Sequence, residues 1–300
     1  MFSRSHPLLL IGFAALAWAG PAAAAGPATH KIEANGITMP YVEEGTGEPI
    51  VFAHGAVSDA RAWEPIRPAI ADQHRFIAPT LRYFGQGGWP DKGERFSAAT
   101  HADDIVAFVK ALDVGPVHLV GWSYGANVAV AAAVASPDLV RTLILFEPAL
   151  DAFVKEGEAG ATAREAAGAM FGPVTPAIEA GDTEKAVRLL IEGVFQMPPG
   201  GFDRQPPELR AMQLDNARTM PLLWNAPPAG VTCDTLRAFD RPTFIVHGAA
   251  SNAFWSHVAR SMDECLPRAE VTAQPNVNHD GPVRDPAGLA AMIEGFVAKH

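Results

Sequence analysis

Short, nearly continuous apolar segments alternate with longer amphipathic segments along most of the chain. The amphipathic segments repeat apolar residues at helical spacing, whereas the short ones have the length of buried strands. Strands buried on both faces and alternating with helices are typical of a mostly parallel sheet covered by helices on both sides. The pattern therefore predicts an α/β fold, with strands at 50–53, 75–78, 117–120, 142–146, 242–246 and 270–273, and helices at 61–71, 97–112, 126–135, 254–266 and 286–298.

Two departures from this alternation shape the predicted domain organisation. Asn35-Gly36 separates two predicted strands, 31–34 and 39–43, and both residues tolerate positive φ, so an antiparallel hairpin should begin the sheet. Between residues 148 and 233 the pattern changes to helical pieces separated by Gly and Pro, with no convincing strand. We therefore expect a helical cap inserted into one core, with boundaries at 26–147 for the first core part, 148–233 for the cap and 234–300 for the second core part.

The first 25 residues have the composition of a signal peptide. Arg4 is their only formal charge, residues 8–18 are apolar, and residues 21–25 supply the small side chains that a signal peptidase recognises. An apolar stretch of about ten residues is too short to span roughly 30 Å of hydrocarbon. We expect cleavage and a periplasmic or secreted location, and no later apolar run approaches the length of a membrane span.

The net charge of the chain excludes some classes of binding partner. Removal of Arg4 from the 23 Lys and Arg residues leaves 22 against 33 Asp and Glu, a net charge of about −11. Nucleic acid and anionic membrane surfaces are therefore poor partners.

Cys233 and Cys265 are the only cysteines, and in an oxidising compartment such a pair favours a disulfide. No His or Cys lies at ligand spacing to either one, so we expect no metal site.

Gly121-Trp122-Ser123-Tyr124-Gly125 lies where a predicted buried strand meets a helix made of small residues. A tight turn in this position exposes a serine above the sheet, and its flanking glycines avoid clashes with the neighbouring backbone. Serine becomes a nucleophile when an imidazole accepts its proton and a carboxylate orients that imidazole. Of ten histidines, His279 is the best candidate, because it follows the last strand at the same sheet edge.

Five segments, taken in order, resemble the α/β-hydrolase fold family over residues 30 to 300 apart from the cap. They are Val51-Phe52-Ala53-His54-Gly55, Ile77 to Gly85, Gly121 to Gly125, Arg241 to Gly248, and His279. The resemblance implies an oxyanion hole formed by two backbone N–H groups, those of Ala56 and Tyr124. It implies no particular substrate.

The carboxylate that would orient His279 is not at its commonest position in that family, which is an Asp or Glu a few residues after the seventh strand. Here the loop 248–255 contains no carboxylate, and the first one after the predicted strand 242–246 is Asp263. Glu147 ends the strand that follows the nucleophile strand, and some family members use that position instead. We therefore expect Ser123, Glu147 and His279 as the catalytic triad, with Asp151 as the second candidate acid.

Serine at position 123 argues against the haloalkane dehalogenase and epoxide hydrolase branches, which use a carboxylate nucleophile. The sequence therefore predicts an exported serine hydrolase, without cofactor, that cleaves an apolar, uncharged carboxylic ester or lactone through an acyl-enzyme. A C–C bond hydrolase, a perhydrolase, an amidase, an acyltransferase and a catalytically silent binding protein remain open, as does the oligomeric state. Six apolar cap residues form either a substrate pocket or the core of the cap: Phe153, Met170, Phe171, Phe195, Met197 and Trp224.

Overall fold

The computed structural model describes Met1 and residues 29–300. An eight-stranded sheet in the order β1-β2-β4-β3-β5-β6-β7-β8 crosses the molecule. The first two strands pair antiparallel, β2 pairs antiparallel with β4, and all later pairs are parallel. The predicted α/β fold and its initial hairpin are therefore confirmed. The strands are β1 Thr29–Ala34, β2 Ile37–Glu44, β3 Pro49–Ala53, β4 Arg75–Pro79, β5 Val117–Trp122, β6 Val140–Phe146, β7 Thr243–Gly248 and β8 Ala269–Gln274.

Helices cover both faces of this sheet and fill the segment between β6 and β7. Short 3₁₀ turns lie at Ala60–Trp63, Pro137–Leu139, Asp151–Phe153, Gly172–Val174, Phe202–Arg204 and Ala217–Thr219. The α-helices are α1 Arg67–Ala71, α2 Ala98–Leu112, α3 Tyr124–Ala135, α4 Glu158–Phe171, α5 Thr175–Glu179, α6 Thr183–Val194, α7 Pro207–Asp215, α8 Met220–Trp224, α9 Cys233–Arg237, α10 Ala253–Asp263, α11 Gly281–Arg284 and α12 Pro286–Val297.

Local chemistry explains where several elements begin. Asn35 and Gly36 adopt φ of 47° and 74°, which lets the first hairpin turn within two residues. Helix α2 begins after Ser97, whose hydroxyl accepts a hydrogen bond from the Thr100 N–H at 3.0 Å. The strands β3 and β6 are buried along almost their whole length, as expected for the centre of a sheet covered on both faces.

The single helix predicted at 61–71 is wrong. The structure has a 3₁₀ turn at Ala60–Trp63, capped by the Asp59 side chain, and then a separate short helix, α1. Pro68 lies in the first turn of α1, where its missing N–H costs nothing. Pro65 precedes α1, and a proline ring clashes with the carbonyl four residues earlier in a continuous helix, so the segment divides there.

Between β6 and β7 the chain forms α4 to α9 and contains no strand. Cys233, in α9, is joined by a disulfide to Cys265, just beyond α10, which confirms the predicted pairing. The boundaries of the cap at 148 and 233 remain a prediction. Apart from Met1, the predicted signal peptide lies outside the described residues. Among the residues that the structure describes, no helix is both long enough and apolar enough to cross a membrane.

Candidate active site

Ser123 lies in the tight turn between β5 and α3. Its φ of 56° and ψ of −121° are rare for a residue with a side chain, and the turn is fixed by its neighbours. A Cβ on Gly121 would approach the Gly125 carbonyl oxygen to 2.5 Å, and one on Gly125 would collide with the carbonyls at the end of β3. The Ser123 carbonyl accepts from the Ala126 N–H at 2.9 Å. Both glycines are therefore required for β5 and α3 to meet closely enough to form this turn.

Glu147 and His279 form a buried hydrogen-bonded pair although 132 residues separate them in the chain. The distance between Glu147 Oε2 and His279 Nδ1 is 2.6 Å, and Glu147 Oε1 accepts from the Gly248 N–H at 2.7 Å. Glu147 has no exposed surface and His279 is 2% exposed. Because a carboxylate oxygen accepts, Nδ1 is the protonated nitrogen of the neutral ring, and Nε2 is left as an acceptor.

Asp151, the second candidate acid, occupies a different place. It begins the 3₁₀ turn Asp151–Phe153, is exposed, and forms no hydrogen bond with His279. The strand order explains the difference, because β6 and β7 are neighbours and both end beside the loop that carries His279. A residue directly after β6 reaches the imidazole, whereas a residue four positions later has already left the sheet edge.

Two tryptophans hold the His279 loop. The Trp122 indole N–H donates to the His279 carbonyl at 3.1 Å, and the Trp255 ring stacks on the imidazole with centroids 3.9 Å apart and planes 12° apart. Trp122 also lines the cavity on which Ser123 and His279 lie. Trp255 carries no sequence signal for this role, because only the approach of α10 to the β8 loop reveals it.

One cavity of about 360 Å³ is lined by Ser123, His279, Ala56 and Tyr124. No hydrogen bond joins the Ser123 hydroxyl to His279, a contact that is often long in an enzyme without substrate. In the described part of the chain, the backbone N–H groups of Ala56 and Tyr124 donate to no other residue. Two backbone donors are thus available beside the serine to a ligand oxygen.

The rest of the cavity wall is mainly apolar. Three of the six apolar residues that the sequence assigns to the cap line it, namely Phe171, Phe195 and Trp224. Phe153 and Met170 are instead buried among other hydrophobic residues, and Met197 lines a separate groove. No Lys or Arg lines the cavity, and Asp151 at its edge is the one acidic residue that does. Three of the six residues therefore line the cavity and two belong to the buried core, whereas Met197 takes neither role.

Two other histidines close to the site are structural. Burial lowers the pKa of His54 to about 4 and that of His101 to about 3, so both rings are neutral near pH 7. His54 Nε2 accepts from the Leu81 N–H at 3.1 Å, and His101 Nδ1 lies 2.7 Å from the Tyr124 hydroxyl. Within the described residues, no three His, Cys, Asp or Glu side chains are grouped to hold a metal ion.

A model of the alpha/beta hydrolase family matches residues 50–292. The 2-(acetamidomethylene)succinate hydrolase of Mesorhizobium japonicum (strain LMG 29417 / CECT 9101 / MAFF 303099) is 28% identical over 264 residues, 84% of this chain and 88% of its own. The soluble epoxide hydrolase of Corynebacterium sp. (strain C12) is 33% identical over 129 residues, 43% of this chain and 44% of its own. The fold is shared with a thermophilic esterase from Thermogutta terrifontis, with a TM-score of 0.68 at 22% identity over 91% of this chain and 98% of the esterase.

Proposed function

The chain belongs to the alpha/beta hydrolase family, and from that premise we propose that it is a serine hydrolase that cleaves a carboxylic ester or lactone through an acyl-enzyme. The proposal rests above all on the 2.6 Å hydrogen bond between Glu147 and His279, in a cavity that Ser123 also lines. A carboxylate, an imidazole and a hydroxyl in this order are the parts that acyl transfer needs.

The proposed reaction begins when His279 Nε2 accepts the Ser123 proton as Oγ attacks the scissile carbonyl carbon. The carbonyl oxygen becomes negative, and the free Ala56 and Tyr124 N–H groups stabilise it by hydrogen bonds. Glu147 stabilises the imidazolium, which then protonates the leaving alcohol, so the C–O bond breaks and leaves the acyl group on Ser123. Water, deprotonated by the same imidazole, releases the acid and restores the hydroxyl.

The cavity favours an uncharged substrate. A succinate, such as the substrate in the name of the Mesorhizobium relative, carries two carboxylates, and anion sites usually provide Arg or Lys. No such side chain lines this cavity, whereas aromatic and aliphatic side chains make up most of its wall. We therefore infer that this chain acts on a neutral, largely apolar ester or lactone, with residues 148–233 as the cap that covers it.

Two measurements test the proposal. A fluorophosphonate probe should label the wild-type protein at Ser123 and leave Ser123→Ala unlabelled, whereas a catalytically silent binding protein would stay unlabelled in both forms. Hydrolysis rates on p-nitrophenyl esters of graded chain length, lactones, amides and C–C cleavage substrates should then be highest for an ester or lactone. A preference for an amide or a C–C substrate would overturn the substrate class while keeping the nucleophile.

We also propose export, which rests on the sequence of residues 1–25 and is supported by the disulfide between Cys233 and Cys265. In cells fractionated into cytoplasm and periplasm, the protein should be recovered outside the cytoplasm, and its amino terminus should begin after Ala24 or Ala25. Cytoplasmic protein that retains Met1 would contradict export.

A further inference from the structure

The cavity that contains Ser123 shares part of its wall with a second space. That space, here called the outer groove, is the one lined by Met197; it measures about 1030 Å³ and is also lined by residues of α7 and α11. Phe195, Leu209 and Met212 line both the cavity and the outer groove. Because each of these side chains borders both spaces, a single layer of side chains separates the cavity from the outer groove at this point.

Helix α7 forms most of this shared wall. Leu209 and Met212 are three positions apart and therefore lie on the same side of the helix, and the next residue, Gln213, also lines the cavity. Glu208 and Ala211 line the outer groove and are exposed. Met212 is only 3% exposed although it borders both spaces, so its side chain fills the wall between them.

Leu209 and Met212 differ from the third shared residue in what they contact. The Phe195 ring lies 6.2 Å from the Trp122 ring, with planes 6° apart, and 6.2 Å from the His279 imidazole, so a change at Phe195 would also disturb the candidate triad. Met212 is held through its backbone, because its carbonyl oxygen accepts from Asn216 Nδ2 at 2.9 Å. That hydrogen bond persists when the Met212 side chain is shortened, so α7 keeps its place.

The volume of the cavity makes this wall important for substrate size. At about 360 Å³ the cavity lies near the lower end of the range of about 300 to 1,000 Å³ that is usual for small-molecule sites. Each methylene that a substrate buries there can raise kcat/KM about fourfold, as long as space remains. Once an alkyl chain meets a closed wall, the next methylene has to push packed side chains apart, and the gain ends.

We propose that Leu209 and Met212 are specificity-determining residues, which close the cavity against the outer groove and so restrict the enzyme to compact esters or lactones. The inference rests on the proposed function and narrows its substrate class. Removal of either side chain joins the cavity to the outer groove, and a long apolar chain then passes from one into the other.

The test measures kcat/KM against chain length in two series of esters, each kept below the concentration at which it aggregates. The acyl series consists of p-nitrophenyl esters from butyrate to dodecanoate, and the alcohol series of acetate esters from butyl to dodecyl, followed by release of acid. In the wild-type protein at least one series should pass through a maximum, with kcat/KM for its longest member about tenfold or more below that maximum.

Variants assign that limit to the wall formed by α7. In the limited series, Leu209→Ala and Met212→Ala should each raise the ratio of kcat/KM for the longest ester to that for the shortest by about tenfold or more. Leu190→Ala is the matched control, because it removes the same atoms from the wall of the same cavity, but Leu190 is not among the described residues that line the outer groove. The control enlarges the cavity without opening it to the groove, so its ratio should rise less.

The possible results separate this inference from the proposed function. If p-nitrophenyl butyrate is hydrolysed but neither series reaches a maximum in the wild-type protein, the inference is wrong and the serine hydrolase stands. A ratio that rises no more in Leu209→Ala and Met212→Ala than in Leu190→Ala also overturns it. The wild-type length profile needs no variant, and if one of the two α7 variants fails to fold, the other is compared with the control. If no ester is hydrolysed and Ser123 is not labelled by the fluorophosphonate, the proposed function fails and this inference fails with it.

Discussion

Replacement of Glu147 by Gln changes one oxygen of the buried acid into an NH₂ group and leaves its volume nearly unchanged. The Gly248 N–H, 2.7 Å from Oε1, has to face the remaining oxygen, since an amide NH₂ there would place two donors against each other. The new NH₂ group then faces His279 Nδ1, at the position where Oε2 now lies 2.6 Å away. Nδ1 becomes the acceptor and the ring proton moves to Nε2.

An imidazole protonated at Nε2 cannot accept the Ser123 proton. The substitution also removes the negative charge of Glu147, which would stabilise the imidazolium. We therefore expect kcat to fall about 100- to 10,000-fold, or about 3 to 5 kcal/mol of transition-state stabilisation. The fold should persist, because Glu147 is fully buried and Gln fills the same space with both hydrogen bonds retained in new roles.

The assay is steady-state hydrolysis of a p-nitrophenyl ester, with thermal unfolding measured alongside to confirm the fold. Asp151→Asn is the matched control, because it neutralises a carboxylate at the edge of the same cavity that does not contact His279, and it should change kcat by less than about threefold. An unchanged rate in Glu147→Gln would refute the assignment. A large loss in Asp151→Asn alone would move the role to Asp151.

Three further predictions concern stability. Reduction of the Cys233–Cys265 bridge, which closes a loop of 32 residues, should lower the free energy of unfolding by about 3 to 4 kcal/mol while ester hydrolysis continues, as denaturant titration with and without reductant will show. Burial lowers the pKa of His54 to about 4 and that of His101 to about 3, so below about pH 6.5 the unfolded chain binds more protons than the folded chain. The free energy of unfolding should therefore be lower at pH 5 than at pH 7, falling below pH 6.5 by about 1.4 kcal/mol per pH unit for each histidine. A free energy of unfolding that does not change with pH would contradict this. Gly125→Ala should lower Tm or abolish folding, because its Cβ would meet backbone carbonyls at the end of β3; a wild-type Tm would show that the turn can relax.

The fold was predictable because its signals are local. Alternating apolar segments predict the strands, Asn35-Gly36 predicts the first turn, and the apolar spacing within 97–112 predicts α2. The error at 61–71 has the same origin, because Pro65 and Pro68 act within the segment and outweigh its apolar spacing. The strand order is not local, and no periodicity in the sequence specifies that β3 lies between β4 and β5.

The residues of the candidate site also differ in whether a local sequence signal reveals them. Ser123 has a recognisable signature because the glycines at 121 and 125 are needed within one tight turn. Trp255 had no such signature. Its place in the site comes from what it contacts, since its ring stacks on His279, and that contact joins elements that are distant in sequence.

The displaced acid shows how the two kinds of information combine. The absence of a carboxylate in the loop after β7 is a local fact, and it directs attention to the end of the neighbouring strand β6. The structure adds that this loop still contributes to the pair, since its Gly248 N–H donates to Glu147 Oε1. A Cβ on Gly248 would approach the Val277 carbonyl oxygen to 2.5 Å, so glycine also lets β7 pack closely against the loop that carries His279. The loop that supplies the acid in the commonest pattern therefore supplies a hydrogen-bond donor here, and the two neighbouring strand ends orient one imidazole together.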